Sequence, residues 1–294
     1  AQYLYLVFVI HTINTLLVFE IAQIIIKRRD ISLLVAGTFA VRFFSSWISN
    51  MHDMLAGMWY FGALLLWVRE GGRVWRWGWL GILGLYFLGL ATKATTVTMP
   101  LSLMALAWAI KKWERVNVSR VLLLAMMAVL VAYVLFVSNG SAVRRETTIS
   151  LRQFLQNNSI FLHQLIPFFP ESWKASVALV GGIFLVGLFK HEVLGFGLAY
   201  LLAVVPSSFF IHRTGIYYLY IPAIYLLLLA GYLLKKSHVL MTGVMFLVLF
   251  IPLGEARKMI TVYRHPSYKG FDQTKAEELV VKVRGAIESG EGQI

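Results

Sequence analysis

Residues 76–112, RWGWLGILGLYFLGLATKATTVTMPLSLMALAWAIKK, decide the fold class of this chain. Two apolar runs, at residues 76–92 and 95–112, are separated by almost no loop, and basic residues mark the far end of each. An apolar run of about 18 or more residues is typical of a helix that crosses a lipid core roughly 30 Å thick. The stretch therefore predicts a membrane-spanning helical hairpin with Lys93 at its turn.

Similar apolar runs continue on both sides of this hairpin along almost the whole sequence. Of the 294 residues, 59% are hydrophobic and only 14% are charged, which is too little charge for the surface of a soluble domain. The runs are continuous and do not alternate, so helices are favoured over a closed barrel. The sequence predicts an all-α, polytopic membrane protein of about ten transmembrane helices. The predicted spans are residues 3–26, 31–49, 52–69, 76–92, 95–112, 120–137, 175–189, 192–209, 216–234 and 238–253.

Short basic connections between the spans predict the orientation in the membrane. When the spans alternate in direction, five basic clusters fall on one side, which is therefore predicted to be cytoplasmic. The protein is predicted to be integral to the bacterial inner membrane, which is favoured over the endoplasmic reticulum. The clusters begin at Lys27, Arg69, Lys111, Lys190 and Lys235.

Two domains follow from this arrangement. Residues 1–253 are the predicted transmembrane domain, and residues 254–294 are an extracytoplasmic tail with one short amphipathic helix. The outer loop 138–174 is predicted to contain an interfacial helix. Because residue 1 lies inside an apolar run, we expect at least one further element upstream. The apolar residues of the interfacial helix are Leu151, Phe154, Leu155, Phe161, Leu162 and Leu165.

Composition excludes several functions. The formal net charge of +13 lies in short clusters between apolar runs, as membrane topology requires, so no nucleic-acid partner is predicted. The absence of cysteine excludes disulfides, thiol catalysis and thiolate metal sites. No His, Asp or Glu arrangement has the spacing of a metal site, and no Gly-rich phosphate loop occurs, so neither a metal nor a nucleotide cofactor is predicted.

Polar residues on the predicted outer side define a candidate site. Asp53 is the carboxylate there with a strongly apolar neighbourhood, and Lys93 lies at a turn where its ammonium must find an anion, a lipid headgroup or water. A phosphate bound by Arg and Lys would explain cations that face outward against the positive-inside bias. The alternative is that these cations reach separately to headgroup phosphates. Further cations on this side are Arg42, near the outer end of the second span, and Arg144 and Arg145 in the outer loop. His212 and Arg213 also lie there, beside Tyr217, Tyr218 and Tyr220.

Four segments resemble the GT-C superfamily of membrane glycosyltransferases in their residues, order and topology. They are His11-Thr-Ile-Asn-Thr-Leu-Leu-Val-Phe19, Trp47-Ile-Ser-Asn-Met-His-Asp53, Gly89-Leu-Ala-Thr-Lys-Ala-Thr-Thr-Val-Thr-Met-Pro100 and Tyr218-Leu-Tyr-Ile-Pro222. The sequence is most similar to the O-mannosyltransferases with tetratricopeptide repeats and their bacterial relatives, and more distantly to the lipid A aminoarabinose transferases. The resemblance covers roughly residues 5–230.

The resemblance implies an inverting glycosyltransferase that uses a polyprenyl-phosphate-sugar donor at the outer leaflet. The fold it implies is a GT-C-like bundle without its first helix, and the usual catalytic carboxylate of the first outer loop would precede this chain. Asp53 would be the catalytic-site carboxylate of this chain, supporting the acceptor or the donor. Lys93, Arg213, His212 and Arg42 would bind the donor phosphate. Substrate contacts would come from Tyr217, Tyr218, Tyr220, Arg144 and Arg145.

The acceptor implied by the resemblance is a protein hydroxyl or a glycolipid, and membrane lipids surround the site. Two other functions stay open. A transporter or flippase of a lipid-linked sugar would also need outward cations, and a non-catalytic membrane scaffold of the same fold would lack the first-loop carboxylate. Tyr217 stands where the relatives have an arginine, and residues 43–46 lack the relatives' acidic residue, which keeps the scaffold open.

Overall fold

The computed structural model describes residues 2–44, 51–69, 76–110, 150–166, 169–208 and 216–235. The chain divides into two compact units, Ala1–Met245 and Phe246–Ile294, and every described residue belongs to the first. Within the described ranges every element is helical and no strand occurs, which confirms the predicted all-α class. The predicted spans 120–137 and 238–253 and the predicted tail lie outside the described residues.

Nine α-helices and two 3₁₀ helices make up the described part of the chain. The 3₁₀ helices are Ala94–Thr98 and Ile216–Leu219. The α-helices are α1 Gln2–Ile26, α2 Arg29–Phe44, α3 Met51–Arg69, α4 Arg76–Thr92, α5 Met99–Ala109, α6 Leu151–Leu165, α7 Trp173–Phe189, α8 His191–Ser208 and α9 Ala223–Leu234.

Helix boundaries follow the apolar runs closely, except where proline intervenes. Helices α3, α4, α7 and α8 begin and end within about two residues of their predicted bounds. The ninth predicted span is instead a 3₁₀ helix, a turn and then α9, because Pro222 cannot donate a backbone hydrogen bond and stands at the N-cap of the α-helix. The fifth span begins as the 3₁₀ helix Ala94–Thr98, and α5 starts at Met99 with Pro100 in its first turn.

Two of the described helices are long and apolar enough to cross a membrane. They are Tyr5–Ile26 of α1 and His191–Ser208 of α8. Four further helical segments are apolar but shorter: Gly78–Thr92, Ala94–Ala109, Trp173–Phe189 and Ala223–Leu234. By length and composition, these helices support association of the chain with a membrane.

Polar contacts join the C-terminal parts of α1, α3 and α9 at one end of the first unit. At the ends of α3 and α1, Arg69 Nη2 donates to Glu20 Oε2 at 3.3 Å. Between α1 and α2, Arg28 Nη1 donates to the carbonyl of Lys235, which follows α9, at 2.9 Å. Helices α1, α3 and α9 therefore end together, as alternating chain directions require. Glu20 pairs with Arg69, rather than with Lys27, its nearest cation in sequence.

Glycine allows two pairs of helices to cross closely. A Cβ atom at Gly195 of α8 would lie 2.7 Å from backbone atoms of Ala109 in α5, and one at Gly231 of α9 would lie 2.6 Å from Ile26 Cδ1 in α1. Small residues at such crossings let helix backbones approach and gain van der Waals contact, which is common between helices in lipid.

The predicted amphipathic helix of the outer loop forms as α6. The Ser150 hydroxyl accepts a bond from the backbone amide of Gln153 at 3.5 Å and caps its start. Helix α6 packs on α7, α8 and the second 3₁₀ helix, and Asn157 Nδ2 donates to the Ser208 carbonyl at 2.8 Å. Leu151, at the start of the predicted apolar stripe, is 73% exposed. A location at the membrane interface stays a prediction. The buried apolar residues of α6 are Leu155, Phe161, Leu162 and Leu165.

Candidate functional site

An ion pair between Lys93 and Asp53 is the centre of the candidate site. Lys93 Nζ donates to Asp53 Oδ1. Asp53 lies in the first turn of α3, and Lys93 lies between α4 and the 3₁₀ helix Ala94–Thr98. Of the three partners expected for the Lys93 ammonium (an anion, a lipid headgroup or water), the structure shows an anion, a carboxylate 40 residues earlier in the sequence.

Local backbone geometry puts Lys93 at this position. Its amide donates to the Gly89 carbonyl at 2.8 Å and ends α4, and its own backbone is extended, with φ −156° and ψ 131°. The 3₁₀ helix then turns back against α4, where Thr96 lies on Gly89 so closely that a Cβ there would be 2.6 Å from Thr96 Cγ2. Glycine at position 89 therefore permits the tight turn that presents Lys93.

The ion pair is largely shielded from solvent. The side chains of Lys93 and Asp53 are 21% and 11% exposed, and taken together the two partners are less exposed than those of any other ion pair that the structure describes. A pair in such surroundings interacts more strongly than a surface pair, but each charge has also lost hydration. Removing one partner would leave the other charge poorly solvated, so substitution of either residue alone should be destabilising.

The Tyr218 ring lies over the Lys93 ammonium. Lys93 Nζ lies 4.7 Å from the centroid of the Tyr218 ring, within the range of a cation–π interaction. The ring of Tyr218, in the second 3₁₀ helix, lies 6.3 Å from the ring of Phe161 in α6. The second 3₁₀ helix thus lies between Lys93 and α6.

A buried hydrogen-bond network anchors the segment that carries Tyr218. His11 lies 2.9 Å through Nδ1 from the Tyr220 hydroxyl and 3.0 Å through Nε2 from the Ala40 carbonyl. Because a carbonyl only accepts, we assign the proton to Nε2, so Tyr220 donates to Nδ1. Asn14 Nδ2 donates to the Met54 carbonyl at 2.8 Å and to the Tyr220 oxygen at 3.0 Å. His11 and Asn14 of α1 therefore connect α1 to α2, to α3 and to the segment of Tyr220.

Tyr220 supports the site from within the protein and is not at its surface. It was predicted as a substrate contact, but it is 1% exposed and its hydroxyl already bonds to His11 and Asn14. The sequence could not separate it from Tyr218, because both are tyrosines in one short segment. Its ring lies against α3 at Gly57 and against three phenylalanines, Phe39, Phe43 and Phe61.

The other predicted site residues are only partly described. Arg42 lies in the last turn of α2 and is 8% exposed, one residue before Phe43, which contacts the Tyr220 ring. The backbone of Tyr217 belongs to the second 3₁₀ helix, but its side chain lies outside the description. Four predicted residues lie outside the described residues altogether: Arg144, Arg145, His212 and Arg213.

Comparison of the chain with protein-family models, with curated proteins and with solved structures finds no match. An ammonium with a carboxylate beside it and one aromatic ring over it can bind an anionic group through Lys93. The carboxylate can accept a hydrogen bond from a hydroxyl, or its proton. In the part of the chain that the structure describes, no three His, Asp or Glu residues come together as metal ligands.

Proposed function

We propose that this chain is a multi-pass membrane glycosyltransferase of the GT-C type, with about ten spans. It moves a sugar from a polyprenyl-phosphate donor to a hydroxyl acceptor, on a protein or glycolipid, at the extracytoplasmic side. The observation that carries the proposal is the contact between Lys93 and Asp53, two groups with complementary tasks in such a reaction. The resemblance of four sequence segments to that superfamily supplies the reaction.

Exposed apolar side chains support several membrane spans. Helix α7 packs on α6 and α8, while Leu185, Leu188 and Phe189 on it are 65%, 76% and 87% exposed. Exposed apolar residues also occur along α1, where Tyr5 and Leu16 are 72% and 60% exposed. Surfaces of this kind suit contact with lipid chains far better than contact with water.

The proposed reaction uses the two charged residues differently. The acceptor oxygen bonds to the sugar carbon while the bond from that carbon to the phosphate oxygen breaks. Polyprenyl phosphate leaves with the electron pair and gains negative charge, which the Lys93 ammonium stabilises. Asp53 orients the acceptor hydroxyl and, as general base, accepts its proton.

Transfer of label from polyprenyl-phosphate mannose to native membrane acceptors tests the proposal. In proteoliposomes of the full chain, Lys93→Ala and Asp53→Asn should each lower transfer by at least about 100-fold. The double variant Lys93→Ala/Asp53→Asn should fold as well as the wild type, because it leaves no unpaired charge, and should still be inactive. Lys190→Ala, which removes an exposed cation elsewhere, should stay within about twofold. Wild-type transfer by either single variant would leave the ion pair with a structural role alone.

A further inference from the structure

We infer that the Lys93–Asp53 ion pair is the closed state of the site, and that the phosphate of a lipid opens it. A phosphate oxygen replaces Asp53 Oδ1 as the hydrogen-bond acceptor of the Lys93 ammonium. The Asp53 carboxylate can then bind the acceptor hydroxyl. This inference rests on the proposed function and adds an order to it: the lipid donor binds first, and the acceptor binds second.

The carboxylate is engaged before any substrate arrives. Asp53 Oδ1 accepts from Lys93 Nζ, and the Asp53 side chain is only 11% exposed. An acceptor hydroxyl would therefore meet a carboxylate whose charge is already balanced. While the pair stays closed, Asp53 is a weak partner for a hydroxyl, so the site resists acceptor and water alike.

A lipid phosphate is suited to displace this carboxylate. It offers several acceptor oxygens to an ammonium, and its lipid chain holds it at headgroup depth, which gives it a high effective concentration at the site. The Tyr218 ring, 4.7 Å from Lys93 Nζ, can stabilise the ammonium with either anion. When the pair opens, the lipid phosphate replaces the Asp53 carboxylate at the Lys93 ammonium. Lys93 stays in place, and only the Asp53 side chain has to move.

Affinity for farnesyl phosphate, titrated into the full chain in phosphatidylcholine nanodiscs, tests the exchange. Asp53→Asn removes the internal competitor and should tighten binding at least about fivefold, although it lowers transfer. Lys93→Ala should weaken binding at least about tenfold. Glu20→Gln is the matched control: it removes the same charge near the opposite end of α3, where Glu20 pairs with Arg69, and should change affinity less than twofold.

The outcomes separate the inference from the proposed function. Equal or weaker binding by Asp53→Asn, with weaker binding by Lys93→Ala, would overturn the inference and keep the phosphate site. Wild-type binding by Lys93→Ala would overturn both. Nanodiscs with phosphatidylglycerol in place of farnesyl phosphate form a further arm. If phosphatidylglycerol binds as tightly as farnesyl phosphate and the variants change its affinity in the same way, the exchange of anions stands, but the site is not specific for the donor.

A second measurement needs no variant and so does not depend on how Asp53→Asn folds. Carbodiimide labelling of carboxylates in the wild-type chain, read by mass spectrometry, should increase at least about threefold at Asp53 when farnesyl phosphate saturates the site. Labelling at Glu20 should not change, and farnesol, which lacks the phosphate, should have no effect at either residue. Unchanged labelling of Asp53 with farnesyl phosphate bound would contradict the opening of the pair.

Discussion

At the scale of single residues, Tyr220 fixes the segment on which Tyr218 lies. Its hydroxyl joins α1 through His11 and Asn14, and its ring occupies the space beside Gly57 in α3. Because Tyr218 is only two residues away, the position of the ring over Lys93 depends on this buried anchor. Buried residues outside the ion pair therefore support the position of Tyr218.

Gly57→Ala should disturb this anchor. A Cβ at position 57 would lie 2.7 and 2.8 Å from two Tyr220 ring atoms, so the ring must shift within a packed region. We expect a loss of about 1–3 kcal/mol in unfolding free energy, typical of overpacking, together with weaker binding of farnesyl phosphate. Thermal unfolding in detergent and the nanodisc titration measure the two effects.

Gly84→Ala is the control for this substitution. Nothing lies within 4 Å of a Cβ at position 84, on α4, so the variant should be neutral or slightly more stable. If both substitutions change the unfolding free energy and the affinity equally, the position of the Tyr220 ring does not depend on the space beside Gly57.

At the scale of elements, the turn between α1 and α2 joins three helices through one guanidinium. Arg28 donates through Nε to Asp30 Oδ1 at 3.2 Å and through Nη1 to the Lys235 carbonyl beyond α9. The hydrogen bond from Arg28 lowers the pKa of the Asp30 carboxyl below its usual value. The contribution of this pair to stability is complete above the unfolded-state pKa of about 3.9 and is lost as pH falls through the folded-state pKa.

Arg28→Ala should return the pKa of Asp30 toward about 3.9. Carbon-13 NMR of the Asp30 side-chain carboxyl across pH measures this directly. Arg69→Ala removes a cation that pairs with Glu20 and should leave the titration of Asp30 where it is. An unchanged Asp30 titration in Arg28→Ala would mean that the hydrogen bond does not persist in solution.

Element types and most boundaries could be predicted from the sequence, because apolar runs such as that of α4 end at charged residues. The exceptions are local: Pro222 and Pro100 divide predicted spans into a 3₁₀ and an α-helical part. Asp53 could be named from its apolar neighbourhood and Lys93 from its place at a turn between two apolar runs, but their contact could not be predicted. Forty residues separate them, and no pattern in one sequence measures such a distance.

At the scale of the whole molecule, the account requires the ion pair and the basic clusters to lie on opposite sides of a membrane. The chain has no cysteine, so single introduced cysteines report their own position without background. Ala94 beside the ion pair and Lys190 between α7 and α8 are both exposed and suit this mapping.

In intact cells, a membrane-impermeant maleimide should label Ala94→Cys and should not label Lys190→Cys until the membrane is opened. This pattern follows because Lys190 belongs to a basic connection, and basic connections stay on the cytoplasmic side. Labelling of both cysteines in intact cells, or of Lys190→Cys alone, would contradict the predicted orientation and with it an extracytoplasmic site.

A structure of the full chain with a bound polyprenyl phosphate tests the central claim most directly. A phosphate oxygen is expected about 2.8 Å from Lys93 Nζ, under the Tyr218 ring, with Asp53 no longer bonded to Lys93. A phosphate bound elsewhere, with the Lys93–Asp53 pair intact, would contradict it.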